Sequence, residues 1–194
     1  MDKDAFYRKL KACRECASLF NHEPRPVFLG SSRAPIMQIS QAPSKTVHET
    51  GYPFNDASGE KLRREWYRIS DAAFYNPENF YITSVGKCFP GKNNRGGDKK
   101  PPKICAELWL EGELDYVENA LYLIVGKAAT DHFFPRLSFV DLVMNDQTIR
   151  GKPAFVLPHP SPLNVKWFKD HPEFFEKRLP VIRRHIHGAL NSKS

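Results

Sequence analysis

The sequence predicts an α/β fold, a three-layer α/β/α sandwich around a four-stranded parallel sheet. Three observations carry that prediction. Four short apolar runs, residues 34–40, 80–85, 121–126 and 154–157, are rich in the β-branched and aromatic side chains of buried strands. The segments between them are long or helical in pattern, which implies right-handed crossovers and a parallel sheet covered on both faces. The 194 residues contain no internal repeat, low-complexity tract or linker, so they are most simply one domain, residues 1–194, able to bury a sizeable core.

In chain order, residues 3–12 read as a short helix leading into CRECASLF, and NHEPRP after it as a turn-rich connection. The first strand, APIMQIS, stops at Gln41-Ala42-Pro43. A long polar loop then runs through Phe54, punctuated by Gly51 and Pro53. Residues 57–69 have helical spacing, with Leu62, Trp66 and Ile69 on one side. The second strand, FYITSV, is followed by GKCFPGKNNRGGDKKPP, too rich in glycine and proline for regular structure. Its Lys87, Lys92, Arg95, Lys99 and Lys100 make it a basic, flexible loop whose backbone can approach phosphates; a solvated surface loop fits equally well. Residues 103–116 form a helix with Cys105 in its first turn, LYLIVG is the third strand, and residues 127–133 begin a helix. The pattern over 136–150 is ambiguous. A fourth strand and a helix over 172–190 complete the chain.

Composition narrows the function classes. At 41% hydrophobic and 26% charged residues the chain is ordinary globular protein, with no apolar span long enough for a bilayer. Charges fall where a signal peptide needs its apolar core, so a cytoplasmic location is expected. Lys plus Arg exceed Asp plus Glu by 29 − 22 = +7, which favours polyanionic partners.

Two groups of residues stand out. In AFVLPHPSPLN, residues 154–164, the prolines cannot extend a ladder, so the strand ends and His159 sits on a stiffened turn. That places a titratable imidazole at the strand carboxyl end, where open α/β sheets bind ligands, although an ordinary proline-rich loop has the same composition. The four cysteines form a CxxC, Cys13 and Cys16, and a wider pair, Cys88 and Cys105. By ligand count they suit zinc or an iron–sulfur cluster equally. Zinc ribbons usually show two tight knuckles, so the wide pair favours [4Fe–4S], with zinc as the alternative and unliganded buried thiols as a third.

Four segments, in order, resemble the iron–sulfur branch of the uracil-DNA glycosylase superfamily, its family four. The branch's first motif, GEAPGxxExxxGxPFxGxxGxxL, is matched by Ser40-Gln41-Ala42-Pro43-Ser44, Gly51-Tyr52-Pro53-Phe54, Gly59 and Leu62. Its TNVxKC is matched by Thr83-Ser84-Val85-Gly86-Lys87-Cys88, and its HPS by His159-Pro160-Ser161. The cysteines match the branch's cluster ligands. The resemblance implies hydrolysis of the N-glycosidic bond of uracil in DNA by base flipping, with single- or double-stranded DNA as the partner; a monomer is expected. It gives His159 the role of donor to the leaving base and Phe54 that of stacking platform. Gln41 and Ala42 would lie by the base and the attacking water. Ser161 would hold phosphate and Leu163 would fill the gap left by the flipped base. The cluster would order the basic loop, with Lys92, Arg95, Lys99 and Lys100 toward DNA.

Two departures bear on activity. The family's water-orienting glutamate is Gln41, which cannot act as a base; His48 and Glu49 lie in the same loop as possible substitutes. The asparagine that reads the uracil edge is Ser84, shorter and with one rotatable hydroxyl. Val47 replaces an acidic position. Reduced or altered activity, or a DNA- or lesion-binding protein that has lost catalysis, follows as the competing expectation. A redox carrier is a third, which leaves HPS and GYPF unexplained.

Overall fold

The computed structural model describes residues 3–94 and 96–192. Its sheet has five strands, not the expected four: β1 (Ile36–Ser40), β2 (Phe80–Ser84), β3 (Leu121–Val125), β4 (Gln147–Ile149) and β5 (Lys152–Leu157), in the order β2-β1-β3-β5-β4. The first four positions of that order are parallel, as expected, and β4 is antiparallel to β5. The extra strand lies in the ambiguous stretch. Arg150 and Gly151, with φ of 52° and 74°, form a two-residue left-handed turn that pairs Ile149 with Lys152. Three residues, of which only Ile149 is buried, give too little alternation to read as a strand.

Nine helices flank the sheet among the described residues: α1 (Lys3–Lys11), α2 (Lys45–Thr50), α3 (Ala57–Lys61), α4 (Asp71–Tyr75), α5 (Lys103–Tyr116), α6 (Lys127–Phe133), α7 (Phe139–Met144), α8 (Val165–Asp170) and α9 (Leu179–Asn191). α2, α4 and α7 have five or six residues each, too few to show a period, and the sequence did not predict them. The helix expected over 57–69 is α3 followed by a π-helical turn, Leu62–Tyr67, that ends at left-handed Arg68. The helix expected over 172–190 is a π-helical turn, Phe174–Arg178, followed by α9, with α8 as a separate helix before it. No helix among the described residues is long and apolar enough to cross a membrane.

Every residue of β1, β2 and β3 is buried, the pattern of strands covered on both faces. α1 packs through Phe6 and Leu10, one helical turn apart, and Phe6 meets Trp109 and Tyr116 of α5 at ring distances of 5.9 and 5.5 Å. From β1 the chain moves outward to β2, whereas from β3 it moves the opposite way to β5. The carboxyl ends of β1 and β3 are therefore a topological switch point, where a crevice opens.

Candidate active site at the strand carboxyl ends

A cavity of about 330 Å³ lies at that crevice. Its lining includes Gln41, Ala42, Phe54, Ser84, His159, Ser161 and Leu163, so one cavity gathers residues far apart in the chain.

One wall is the turn after β5. Ser161 N donates to His159 Nδ1 at 3.2 Å, which leaves the proton of the neutral ring on Nε2. Burial lowers the His159 pKa; the nearby carboxylates of Asp56 and Asp98 oppose the shift without reversing it. The imidazole is thus held neutral as a donor. Asn164 Nδ2 donates to the His159 carbonyl at 2.7 Å, and Ser161 Oγ accepts from Leu163 N at 3.3 Å as the cap of a short 3₁₀ turn, Pro162–Asn164. The turn presents Leu163 with 90% of its surface exposed. Gly126, at φ 90°, lets the end of β3 lie against His159; a Cβ there would stand 3.4 Å from His159 Cβ.

The opposite wall carries Phe54 in the left-handed region, φ 55°, which costs a bulky residue strain. Several groups hold it there. Its carbonyl accepts from Arg63 Nη1 at 2.5 Å and from Tyr75 OH at 3.2 Å. Gly59 is required beneath, because a Cβ there would come within 1.7 Å of the same oxygen. Arg63 is itself buried and pairs with Asp71 at 2.9 Å. Asp56, missed in the sequence, caps α3 by accepting from Gly59 N at 2.9 Å. It also accepts from Ser44 Oγ at 3.2 Å, and Ser44 in turn caps α2. The start of a helical pattern at residue 57 was the signal that could have found it.

The Gln41 carbonyl accepts from Gly86 N at 2.9 Å, and its side-chain Nε2 donates to the Lys99 carbonyl at 3.3 Å. His48 and Glu49 are not substitutes for it. Neither lines the cavity: His48 packs 4.9 Å from His22, and Glu49 pairs with Lys45 at 3.7 Å. Ser84 is buried, and its hydroxyl donates to the Gly86 carbonyl at 2.7 Å.

The basic loop is more ordered than its composition suggests. Lys92 and Asp98 form an isolated antiparallel bridge and an ion pair at 2.7 Å, and Lys99 N donates to the Gly91 carbonyl at 2.9 Å. Asp98, a second carboxylate the sequence did not flag, lines the cavity. Lys99 and Lys100 are exposed, whereas Arg95 lies outside the described residues. Lys87 does not belong with the solvent-facing bases. It is 1% exposed, its ammonium meets Glu113 and the Ser84 carbonyl, and Thr83 Oγ1 accepts from it at 3.0 Å.

Cys13, Cys16, Cys88 and Cys105 line one small pocket with Phe20, Pro24, Pro26 and Pro102. Lys87 N donates to Cys105 Sγ at 3.2 Å and Trp109 Nε1 to Cys13 Sγ at 3.3 Å. Burial, with the neighbouring thiols adding to it, pushes the Cys88 pKa up to about 12; burial also raises those of Cys16 and Cys105. Four soft sulfurs gathered in one pocket, with burial opposing ionisation of Cys16, Cys88 and Cys105, fit a thiophilic metal group. Among the described residues, no three or more His, Cys, Asp or Glu side chains are grouped tightly enough to hold a single ion.

A mostly parallel α/β sheet with a neutral histidine, a strained aromatic and a polar strand end at its switch point defines a class of pocket proteins. Comparison with known proteins narrows it. The model of the uracil DNA glycosylase superfamily matches residues 27–183, so the chain belongs to that superfamily. The match leaves Cys13 and Cys16 outside. A type-4 uracil-DNA glycosylase of Saccharolobus solfataricus is 24% identical over 135 residues, 70% of this chain and 60% of that protein. One from Archaeoglobus fulgidus is 27% identical over 134 residues, 68% of this chain and 63% of that protein. One from Sulfurisphaera tokodaii is 26% identical over 108 residues, 56% of this chain and 47% of that protein. The chain thus spans about half to two-thirds of the length of these relatives.

Proposed function

We propose that this chain is a single-domain DNA glycosylase that hydrolyses the N-glycosidic bond of uracil, or a related deaminated base, in DNA. The observation that carries this is His159, a neutral imidazole with its proton on Nε2, lining the same cavity as Phe54 and Ser84. The bond breaks with its electron pair leaving on the base, and water oxygen bonds to the sugar carbon and sheds a proton to solvent. His159 donates to the base as negative charge collects there, which favours the transition state over the ground state. Phe54 offers a face to the flipped base. Gln41 orients water without deprotonating it, and a cationic sugar needs no strong base. Leu163, exposed on a rigid turn, enters the duplex as the base leaves, and Ser161, Lys92, Arg95, Lys99 and Lys100 meet phosphates.

Cys13, Cys16, Cys88 and Cys105 would hold a [4Fe–4S] cluster. Each thiolate of such a cluster bonds a different iron, which suits sulfurs that share a pocket without closing on one ion. Its contribution is a cross-link between the N-terminal segment and the loop before α5. Iron and sulfide in the purified protein support this; zinc in their place overturns it. The family relationship and the basic charge support DNA as partner, and action as a cytoplasmic monomer is part of the same proposal.

Gln41 bonded to a carbonyl, where the family has a glutamate, favours a second reading, a lesion-binding protein without catalysis. A uracil-containing oligonucleotide separates the two. Strand breakage after alkali is expected from the enzyme, and tight binding with intact strands would establish the alternative.

A further inference from the structure

Resting on the glycosylase reading, we infer that Ser84 makes the cavity a reader of deaminated bases of both ring sizes, purine as well as pyrimidine. Ser84 is 3% exposed at the carboxyl end of β2 and lines the cavity. Its hydroxyl proton is committed to the Gly86 carbonyl at 2.7 Å, inside the fold. Turning that proton toward a ligand would strand a buried carbonyl. The backbone cannot shift easily to compensate, because Gly86 N is engaged by the Gln41 carbonyl at 2.9 Å. Toward the cavity, Ser84 therefore presents lone pairs and no hydrogen.

Such a group selects a base edge that bears N–H, and deamination creates that edge. Cytosine N3 and adenine N1 are bare acceptors; in uracil and hypoxanthine the same ring positions carry hydrogen. Against Ser84 the amino bases set acceptor against acceptor, and the deaminated bases form an N–H···O bond. An amide side chain would read the adjacent carbonyl as well, with donor and acceptor at fixed spacing, and so fix how far the ring stands from the sugar. A single acceptor makes no such demand. His159 serves either ring from the other side, since charge collects on pyrimidine O2 or purine N3 as the bond breaks. The cavity of about 330 Å³ has room for a purine. Thymine and guanine also carry ring N–H, so their exclusion falls to the cost of extruding a paired base and to other walls.

The test uses the full chain and oligonucleotides with one uracil, hypoxanthine, cytosine or adenine, both as single strands and as mismatched duplexes. Single-turnover rates are read from alkali-induced breaks. Hypoxanthine is expected within about tenfold of uracil, and cytosine and adenine at least about a hundredfold slower. Ser84→Asn, checked for folding by circular dichroism, is expected to move the uracil-to-hypoxanthine ratio about tenfold or more toward uracil. Cleavage of uracil alone, or an unmoved ratio in folded Ser84→Asn, overturns the inference and leaves the glycosylase reading standing. No cleavage of any of the four overturns both.

Discussion

The cavity and the cysteine pocket share the segment 84–88 but are built from different material. The cavity, about 330 Å³, is assembled from strand ends whose positions the sheet dictates. The cysteine pocket, about 20 Å³, is lined by residues 13–26, by Gly86, Lys87 and Cys88, and by Pro102 and Cys105 at the start of α5, with three prolines and a phenylalanine around the sulfurs. A frame that is already rigid can leave room for a ligand. The irregular segments that carry Cys13, Cys16 and Cys88 must close on something, and with Cys105 at the start of α5 the four thiols supply the means for a cross-link. Lys87 joins the two: its amide reaches Cys105 and its ammonium reaches the backbone of Ser84, on the cavity wall.

If the cavity is the chemical site on a rigid frame, His159→Ala should lower uracil cleavage by about 10² to 10³-fold, the usual weight of one such donor, with little change in the urea midpoint. A parallel fall in stability would break the contrast between frame and site. Lys87→Met probes the joint. It leaves Glu113, 0% exposed, as an uncompensated charge, and should cost about 3–5 kcal/mol in urea unfolding while loosening metal retention. A Lys87→Met protein as stable as its parent would make the two sites independent. Leu163→Ala should slow cleavage in duplex DNA several-fold, spare single strands and shift stability by less than about 0.5 kcal/mol, because the side chain is 90% exposed. Equal slowing on both substrates would remove the wedge.

The smallest effect is in pH. Burial lowers the His159 pKa below 6.5, so cleavage should stay level from neutrality down to that value and fall only beneath it. The same shift has a stability sign. Unfolded imidazole takes a proton near 6.5 and the folded one resists, so this contribution is complete above 6.5 and is lost as pH falls through the folded pKa. A rate that drops already above 6.5 would mean another group titrates in the cavity.

Much of this was legible in the chain itself. The parallel strands could be read because buried strands are continuous apolar runs, and the His159 turn because prolines announce where a ladder ends. The fifth strand escaped because three residues with one buried side chain carry no period. Asp56 and Asp98 escaped because an aspartate at a helix start or in a glycine-rich loop looks the same whether it faces a cavity or water. His48 and Glu49 were misjudged as substitutes for Gln41, since sharing a loop does not mean sharing a wall.

Residue type and local spacing by themselves determined the α/β class, the four cysteines as a ligand set and His159 as a residue to watch; Phe54 and Ser84 were marked by the resemblance of their motifs to the family. Tertiary structure alone decided which lysine meets solvent and which meets Glu113, and that Leu163 stands exposed. It also decided that Phe54 is forced left-handed over Gly59 and that the Ser84 proton is already taken. The reason is physical: burial, ion pairing and hydrogen-bond partners depend on groups brought together from distant parts of the chain. Spacing along the chain encodes only the backbone path that makes those meetings possible.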